Sequence, residues 1–316
     1  MDINNEIAKL NWKREPYGLY EPIEYTLAAG GKRVRPQLAM IACQMFGGKE
    51  KEVLPAALAL EVFHNFTLLH DDVMDKADVR RGRATVHVKW NENTAILSGD
   101  QMLIEAYKLL SGVPADKLPR VLQLFNKMAT EICEGQQYDV DFETQEQVTI
   151  DEYLKMIRLK TSVLLANALQ TGAYIAGADE QAQEALYEFG INIGLAFQIQ
   201  DDILDVWGDP KTFGKAVGGD ICCNKKTFVF LEAMRRGGKR REGERLEEWY
   251  SQVLENNTTK IAAVKEIFEQ LDVRTACEKV VEEYTQKALA LLNHPPQNAA
   301  TEQLRQLANK LNTRKD

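Results

Sequence analysis

Three observations predict an all-α fold. The 316-residue chain holds only nine prolines, with none between Pro119 and Pro210 or between Pro210 and Pro295. Both intervals are rich in Ala, Leu, Glu, Gln and Lys, residues that lose little freedom in a helix. No series of alternating β-branched segments joined by turn dipeptides occurs, and runs such as TFVFL stand in isolation.

Taken in order, the opening stretch MDINNEIAKLNWKRE lacks the basic and apolar regions of a secretory leader, so none is expected. Next, AAGGKRVRP at 28–36 sets Lys32, Arg33 and Arg35 after a Gly-Gly pair and before Pro36, which is expected to open a helix. That arrangement reads as an anion pocket, with a solvated basic turn as the alternative. Pro55 is expected to begin a helix running PAALALEVFHNFTLLHDDVMD. On it Leu58, Val62, Leu69 and Val73 share a core side, while Glu61, His64, Leu68, Asp71 and Asp75 follow the spacing of a second, chemical side. A further helix, ALYEFGINIGLAFQIQDDILDVWGD, carries Gln198, Asp201 and Asp205 on one stripe and is expected to stop at Pro210. The stretch RRGGKRREGERLEE at 235–248 reads as a solvated, charged insertion within one domain spanning 1–316.

Composition narrows the function. Hydrophobic residues make up 45% of the chain, enough for a substantial core, and no run approaches the roughly 20 apolar residues that span a bilayer. The formal charge of −8 argues against a general nucleic-acid binder, so a bound anion must meet a local basic patch. Cys43, Cys133, Cys222, Cys223 and Cys277 show no metal-ligand spacing, and their odd number fits reduced thiols and a cytoplasmic setting.

The chemistry concentrates in two acidic segments. Residues four apart on a helix lie one turn from each other, so Asp71 with Asp75, and Asp201 with Asp205, can aim carboxylates at a common point. Like charges so close repel unless a cation offsets them, and hard oxygen donors of this kind suit Mg²⁺ carrying substrate phosphates. A calcium loop is excluded by the missing glycine at position six and glutamate at position twelve. Arg80 and Arg81 follow the first acidic set, where guanidinium forks match phosphate oxygens; a surface pair with Asp75 or Asp78 is the alternative. Between the acidic sets lie GQQYD, with Asp139 four residues after Gly135, and RLKTS, with Lys160 and Thr161. Downstream, FGKAVGGDICCNKKT places Lys215, Lys225 and Lys226 around a Gly-Gly pair, a loop suited to closing over phosphates.

From GGKRVRP through HDDVMDKADVRRG, GQQYD and KTS to FQIQDDILDVWGDPKTFGKAVGGD and NKKT, the chain resembles the trans-prenyl diphosphate synthase, or polyprenyl synthetase, family. The resemblance implies a helical bundle around a central prenyl-chain cavity, the isoprenoid synthase fold, in an enzyme that is usually a homodimer. It implies condensation of isopentenyl diphosphate with an allylic diphosphate with the help of three Mg²⁺ ions. By it, Asp71, Asp75, Asp201 and Asp205 belong to the metal-binding motifs, with Asp139 supporting them through water or lysine contacts. Arg80, Lys160 and Lys215 would grip the allylic diphosphate; Lys32, Arg35, His64 and Arg81 would bind isopentenyl diphosphate; Thr161 and Gln198 would face the developing cation.

Phe66, five positions before the first motif, is implied to limit product length to C15 or C20, and its small neighbour Thr67 tilts the expectation toward geranylgeranyl diphosphate. On an ideal helix Phe66 points about 160° away from the direction midway between Asp71 and Asp75, so helix geometry by itself does not set it in a tunnel. A longer-chain synthase is the first alternative. A terpene cyclase would not need the second basic motif, and a non-catalytic partner subunit would not need both aspartate sets.

Overall fold

A computed structural model describes residues 2–209, 217–252 and 257–312. The fold is all-α, as the proline distribution predicts. The helices are α1 (Ile3–Ala8), α2 (Tyr17–Leu27), α3 (Val34–Met45), α4 (Glu50–Met74), α5 (Val86–Lys89), α6 (Glu92–Leu110), α7 (Leu118–Thr144), α8 (Ile150–Ile157) and α9 (Val163–Ile175). They continue with α10 (Glu180–Trp207), α11 (Gly219–Cys222), α12 (Phe228–Gly237), α13 (Arg241–Tyr250), α14 (Thr258–Gln270), α15 (Val273–Leu291) and α16 (Ala299–Asn312). The chain divides into two compact units: Met1–Lys127 with Asn167–Leu186 and Pro295–Thr301, and Met128–Ala166 with Tyr187–His294 and Glu302–Asp316.

In the first unit α4 is the axis, packed against α3 and α6. Ala56 through Phe63 are buried without interruption, so this helix has no water-facing side in its middle. By length and composition α4 would also cross a bilayer, contrary to the expectation of no such segment, but most of its apolar stretch is buried against the protein itself. It starts at Glu50, not Pro55: Glu50 and Glu52 favour the positive helix start, and Pro55 lies in the second turn, where its missing N–H removes one helical bond. Similarly α3 opens at Val34, two residues before Pro36, with Arg33 at φ 46° as its cap.

Among the described residues one short antiparallel hairpin interrupts the helices, Val79–Arg80 against Arg83–Ala84. Arg81 and Gly82 turn it, both with positive φ (52° and 72°), the two-residue geometry whose twist suits a hairpin. Two-residue strands are too short to leave a periodic trace in sequence. The hairpin is held to α2 by Tyr25, whose hydroxyl donates to the Ala84 carbonyl at 2.8 Å and whose ring lies 3.9 Å from the Arg83 guanidinium.

In the second unit a single π-helical turn, Arg158–Ser162, joins α8 to α9. Such turns carry an extra residue and often mark functional sites. Two glycines admit neighbouring helices to this turn: a Cβ on Gly135 of α7 would stand 2.3 Å from the Lys160 nitrogen, and one on Gly194 of α10 would stand 2.5 Å from the Ser162 Cα. Gly135→Ala is therefore expected to lower stability by about 1–3 kcal/mol, measured by denaturant unfolding, because backbone cannot yield as a side chain can.

Helix α10 starts five residues before the predicted Ala185, because Asp179 accepts from the Ala182 N–H at 2.8 Å and caps it. It ends at Trp207; Pro210, the expected stop, lies outside the described residues. The predicted loop at 235–248 is mostly helical: Arg235–Gly237 close α12, Arg241 opens α13, and only Gly238–Arg240 connect them. Gly238 at φ 49° supplies the break, and Leu246 buries the apolar side of α13, which the dense charge had obscured. The five cysteines are all free thiols, with Cys43 and Cys277 buried.

Candidate active site

In the first unit the basic motif at 30–35, the Arg80–Arg81 turn and the end of α4 come together. The Arg81 guanidinium donates to the Gly30 carbonyl, and a Cβ on Gly31 would stand 3.1 Å from the Arg81 Cζ, so glycine is required where the two segments meet. A small recess of about 30 Å³ is lined by Tyr25, Asn65, Leu68, Asp72, Arg80 and Arg81.

The charges there divide into two groups. Arg33 and Glu61 form a buried ion pair at 2.6 Å, with side chains only 3% and 2% exposed. Arg33 also donates to the Leu27 carbonyl, and Asn65 Nδ2 donates to Glu61 at 2.9 Å. Sequence reading placed Arg33 among the anion-binding cations and Glu61 on the chemical stripe; both instead neutralise each other inside the protein. Arg80 pairs at 2.7 Å with Asp72, the middle aspartate of the motif, and not with Asp75 or Asp78. Burial raises the Asp72 carboxyl above its usual range, and the nearby Arg80 charge and hydrogen bond act against this.

Arg35 and Arg81 remain as cations in excess of local carboxylates. Burial, opposed by Glu61 and assisted by Arg81, pushes Arg35 down to about 10, and its Nε is buried without a hydrogen-bond partner. His64, one turn of α4 from Glu61, sits among these groups. Burial first, then Arg35, Arg81, Arg80 and Arg33, holds its imidazole well below the ordinary value, so it is neutral at pH 7. Lys32 is exposed beside this group. Because folded His64 binds a proton less readily than unfolded His64, stability is lost as pH falls through 6.5. His64→Gln is expected to flatten the fall of the thermal midpoint between about pH 7 and pH 5.

Asp71 and Asp75 lie on the last turn and cap of α4, Asp71 half-buried and Asp75 exposed. Thr67 Oγ1 donates to the His64 carbonyl at 2.8 Å, and Phe66 is half-buried one residue before it.

In the second unit the GQQYD and KTS motifs meet at the π turn. Lys160 Nζ lies 2.6 Å from Asp139, and Thr161 Oγ1 donates to Gln198 Oε1 at 3.3 Å. Gln198 Nε2 donates in turn to Asp202 at 3.2 Å. Asp202 also accepts from the Tyr153 hydroxyl at 2.5 Å and from the Phe228 N–H at 3.1 Å, and burial with the Asp220 charge pushes its carboxyl up to about 8. Asp201 is half-buried beside it. Asp205 is buried, and its carboxylate accepts from the Asp220 N–H at 3.1 Å.

Sequence reasoning missed Tyr153 and Asp220; the carboxylate of VGGD was a usable signal for the second, whereas nothing local marks the first. Lys226 Nζ donates to the Phe142 carbonyl at 2.8 Å, and the Lys225 N–H donates to the Asp220 carbonyl at 2.9 Å. Lys215 lies outside the described residues.

The middle member of each aspartate set, Asp72 or Asp202, thus accepts from protein donors, as does Asp205. The pattern characteristic of Polyprenyl synthetase matches residues 16–271, most of the chain and both acidic segments. This chain belongs to the polyprenyl synthetase family. It is a prenyltransferase of isoprenoid biosynthesis with the all-α fold of these synthases.

The geranylgeranyl diphosphate synthase of Methanosarcina mazei is 45% identical over 226 residues, covering 71% of this chain and 70% of that protein. The geranylfarnesyl diphosphate synthase of Natronomonas pharaonis is 40% identical and covers 74% of each chain. A crystal structure of a geranylgeranyl pyrophosphate synthase superimposes with a TM-score of 0.92 at 48% identity, over 99% of this synthase and 96% of that chain.

Whether the residues fit magnesium follows from the donors. Among the described residues no three His, Cys, Asp or Glu side chains converge to enclose an ion. A cation here would draw on one or two carboxylates and complete its shell with substrate oxygens and water, which is how Mg²⁺ is commonly held.

Proposed function

We propose that this synthase condenses isopentenyl diphosphate with dimethylallyl, geranyl and farnesyl diphosphates to give geranylgeranyl diphosphate. The single observation that carries the reading is the basic group of Arg35 and Arg81, with Arg81 seated against Gly30 and Gly31 and the Arg35 Nε buried without a hydrogen-bond partner, an anion site separate in chemistry from the aspartates, such as a second diphosphate requires. A terpene cyclase ionises one diphosphate and has no use for that site.

Asp71, Asp75, Asp201 and Asp205 are the residues that would hold Mg²⁺, three ions by the family resemblance, with Asp139 paired to Lys160. When bound, the ions supply positive charge to the oxygens of the departing diphosphate. Arg80, Lys160 and Lys215 grip the allylic diphosphate, with Lys225 near it; Lys32, Arg35, His64 and Arg81 hold isopentenyl diphosphate. The allylic C–O bond breaks with its electron pair leaving on diphosphate, and the allylic cation is attacked by the isopentenyl double bond.

Gln198 is tied at both ends, accepting from Thr161 and donating to Asp202, so its carbonyl dipole is oriented before the cation forms. A proton then leaves for the released diphosphate, and the product is five carbons longer. No side-chain nucleophile takes part.

One catalytic domain over the whole chain is proposed because the family match runs through both compact units. A homodimer is proposed because α6 exposes Ile96, Leu97, Ile104 and Tyr107, an apolar stripe of the kind a second subunit covers. Leu97→Glu with Ile104→Glu is expected to halve the mass measured by light scattering; an unchanged mass rejects this face. Free thiols at all five cysteines support a cytoplasmic location.

The test of function is to incubate the purified chain with isopentenyl diphosphate and each of the C5, C10 and C15 starters and to size the products. Elongation of all three to C20 is expected, C15 as the end product would make it a farnesyl synthase, and no product with any starter overturns the reading. The geranylfarnesyl synthase among the relatives makes C25 the alternative. Phe66→Ala is expected to lengthen the product, and unchanged length removes Phe66 as the floor.

A further inference from the structure

We infer that His70 is a positioning residue for product length, because it is pinned to α6 through Gly99 and holds the ring of Phe66 from one side. This deepens the proposed function and rests on Phe66 as the floor for the growing chain.

The Phe66 ring lies between two others on the same side of α4. Phe63 is at 5.4 Å, tilted 58°, and His70 is at 4.9 Å, edge-on at 70°. Edge-to-face contact at these separations favours one ring orientation over its alternatives. The two neighbours are anchored differently. Phe63 is fully buried and packs edge-on against Phe125 of α7 at 5.1 Å, so its position belongs to the core.

His70 is 21% exposed at its side chain and owes its position to α6. Its Nε2 lies 3.1 Å from the Ile96 carbonyl, the distance of a hydrogen bond in which the protonated nitrogen donates. A Cβ at Gly99 would stand 2.2 Å from that same Nε2 and 2.5 Å from Cδ2, so the imidazole occupies the space that any side chain at position 99 would fill. Glycine in the middle of a helix weakens it, and here the room it leaves is taken by His70.

The consequence is that Phe66 is not a free floor. If His70 withdraws, its ring gains room to turn, and the limit on chain length relaxes although residue 66 is unchanged. Gly99→Ala should displace the imidazole, His70→Ala should remove it, and His70→Asn should keep a donor for the Ile96 carbonyl without a ring.

Each variant is to be assayed with farnesyl diphosphate and isopentenyl diphosphate, and products are to be sized at equal conversion. The expected result is that all three raise the ratio of C25 and longer products to C20 by about fivefold, the effect of losing one aromatic contact. Combining Gly99→Ala with Phe66→Ala should add nothing to Phe66→Ala alone, because the effect of His70 passes through that ring. A general loosening of the α4–α6 contact would lower the melting temperature but would add to Phe66→Ala. Wild-type product ratios in Gly99→Ala and His70→Asn, with Phe66→Ala lengthening as expected, overturn the inference alone. If Phe66→Ala does not lengthen the product, the floor reading falls and this inference falls with it.

Discussion

Replacing Asp71 and Asp201 together by alanine is expected to lower Mg²⁺-dependent turnover by about three orders of magnitude or more. In the proposed mechanism these carboxylates retain the ions that offset charge on the leaving diphosphate, and losing preorganised stabilisation of this kind costs at least about a hundredfold per group. Both residues are half-buried, and folding of the variant is read separately from turnover by thermal unfolding. Its melting temperature should stay within a few degrees of the parent. Retained turnover with Mg²⁺ would reject the assignment.

The adjacent change, Asp202→Ala, has a different signature. It removes a buried acceptor from the Tyr153 hydroxyl, the Phe228 N–H and Gln198 together, so stability should fall along with activity. Neighbouring positions in one motif would thus be separated by calorimetry and not by turnover.

Glu61→Ala is expected to destabilise the chain by about 3–5 kcal/mol, because it leaves the buried Arg33 guanidinium without its counter-charge. Part of the loss should return in Glu61→Ala combined with Arg33→Leu, since an apolar replacement of both partners removes the unpaired charge. The single variant should also tighten isopentenyl diphosphate binding. Glu61 is the carboxylate that opposes the lowering of Arg35 and Arg81, and without it the group carries one more uncompensated positive charge toward an anion. Chemical denaturation and the KM for isopentenyl diphosphate measure the two effects separately. A change below about 1 kcal/mol in the first would mean that Arg33 finds another partner.

These outcomes show where sequence and structure part company. The all-α architecture was legible because proline spacing and helix-forming composition act locally, residue by residue. The motif positions were legible for a similar reason: Asp71 and Asp75, or Asp201 and Asp205, share a helix face by arithmetic alone. Helix starts were not. Glu50 and Glu180 open their helices five residues before the predicted points, since caps such as Asp179 compete with prolines that merely tolerate a first turn. The charged stretch after Arg235 was misread as loop because one buried leucine, Leu246, decides its fate, and burial is not visible in a run of charges.

By itself the sequence determined the fold class, the family and the pairs of aspartates able to face a common ion. Only the tertiary structure decided which charged groups pair with one another inside the protein. Arg33, Glu61, Asp72 and Asp202 are drawn into pairs or hydrogen bonds inside the protein, while Arg35 and His64 stand with little local compensation. The reason is physical. A side chain's identity sets what charge it can carry, but its energy depends on burial and on partners distant in sequence, and those are supplied only when the chain has folded.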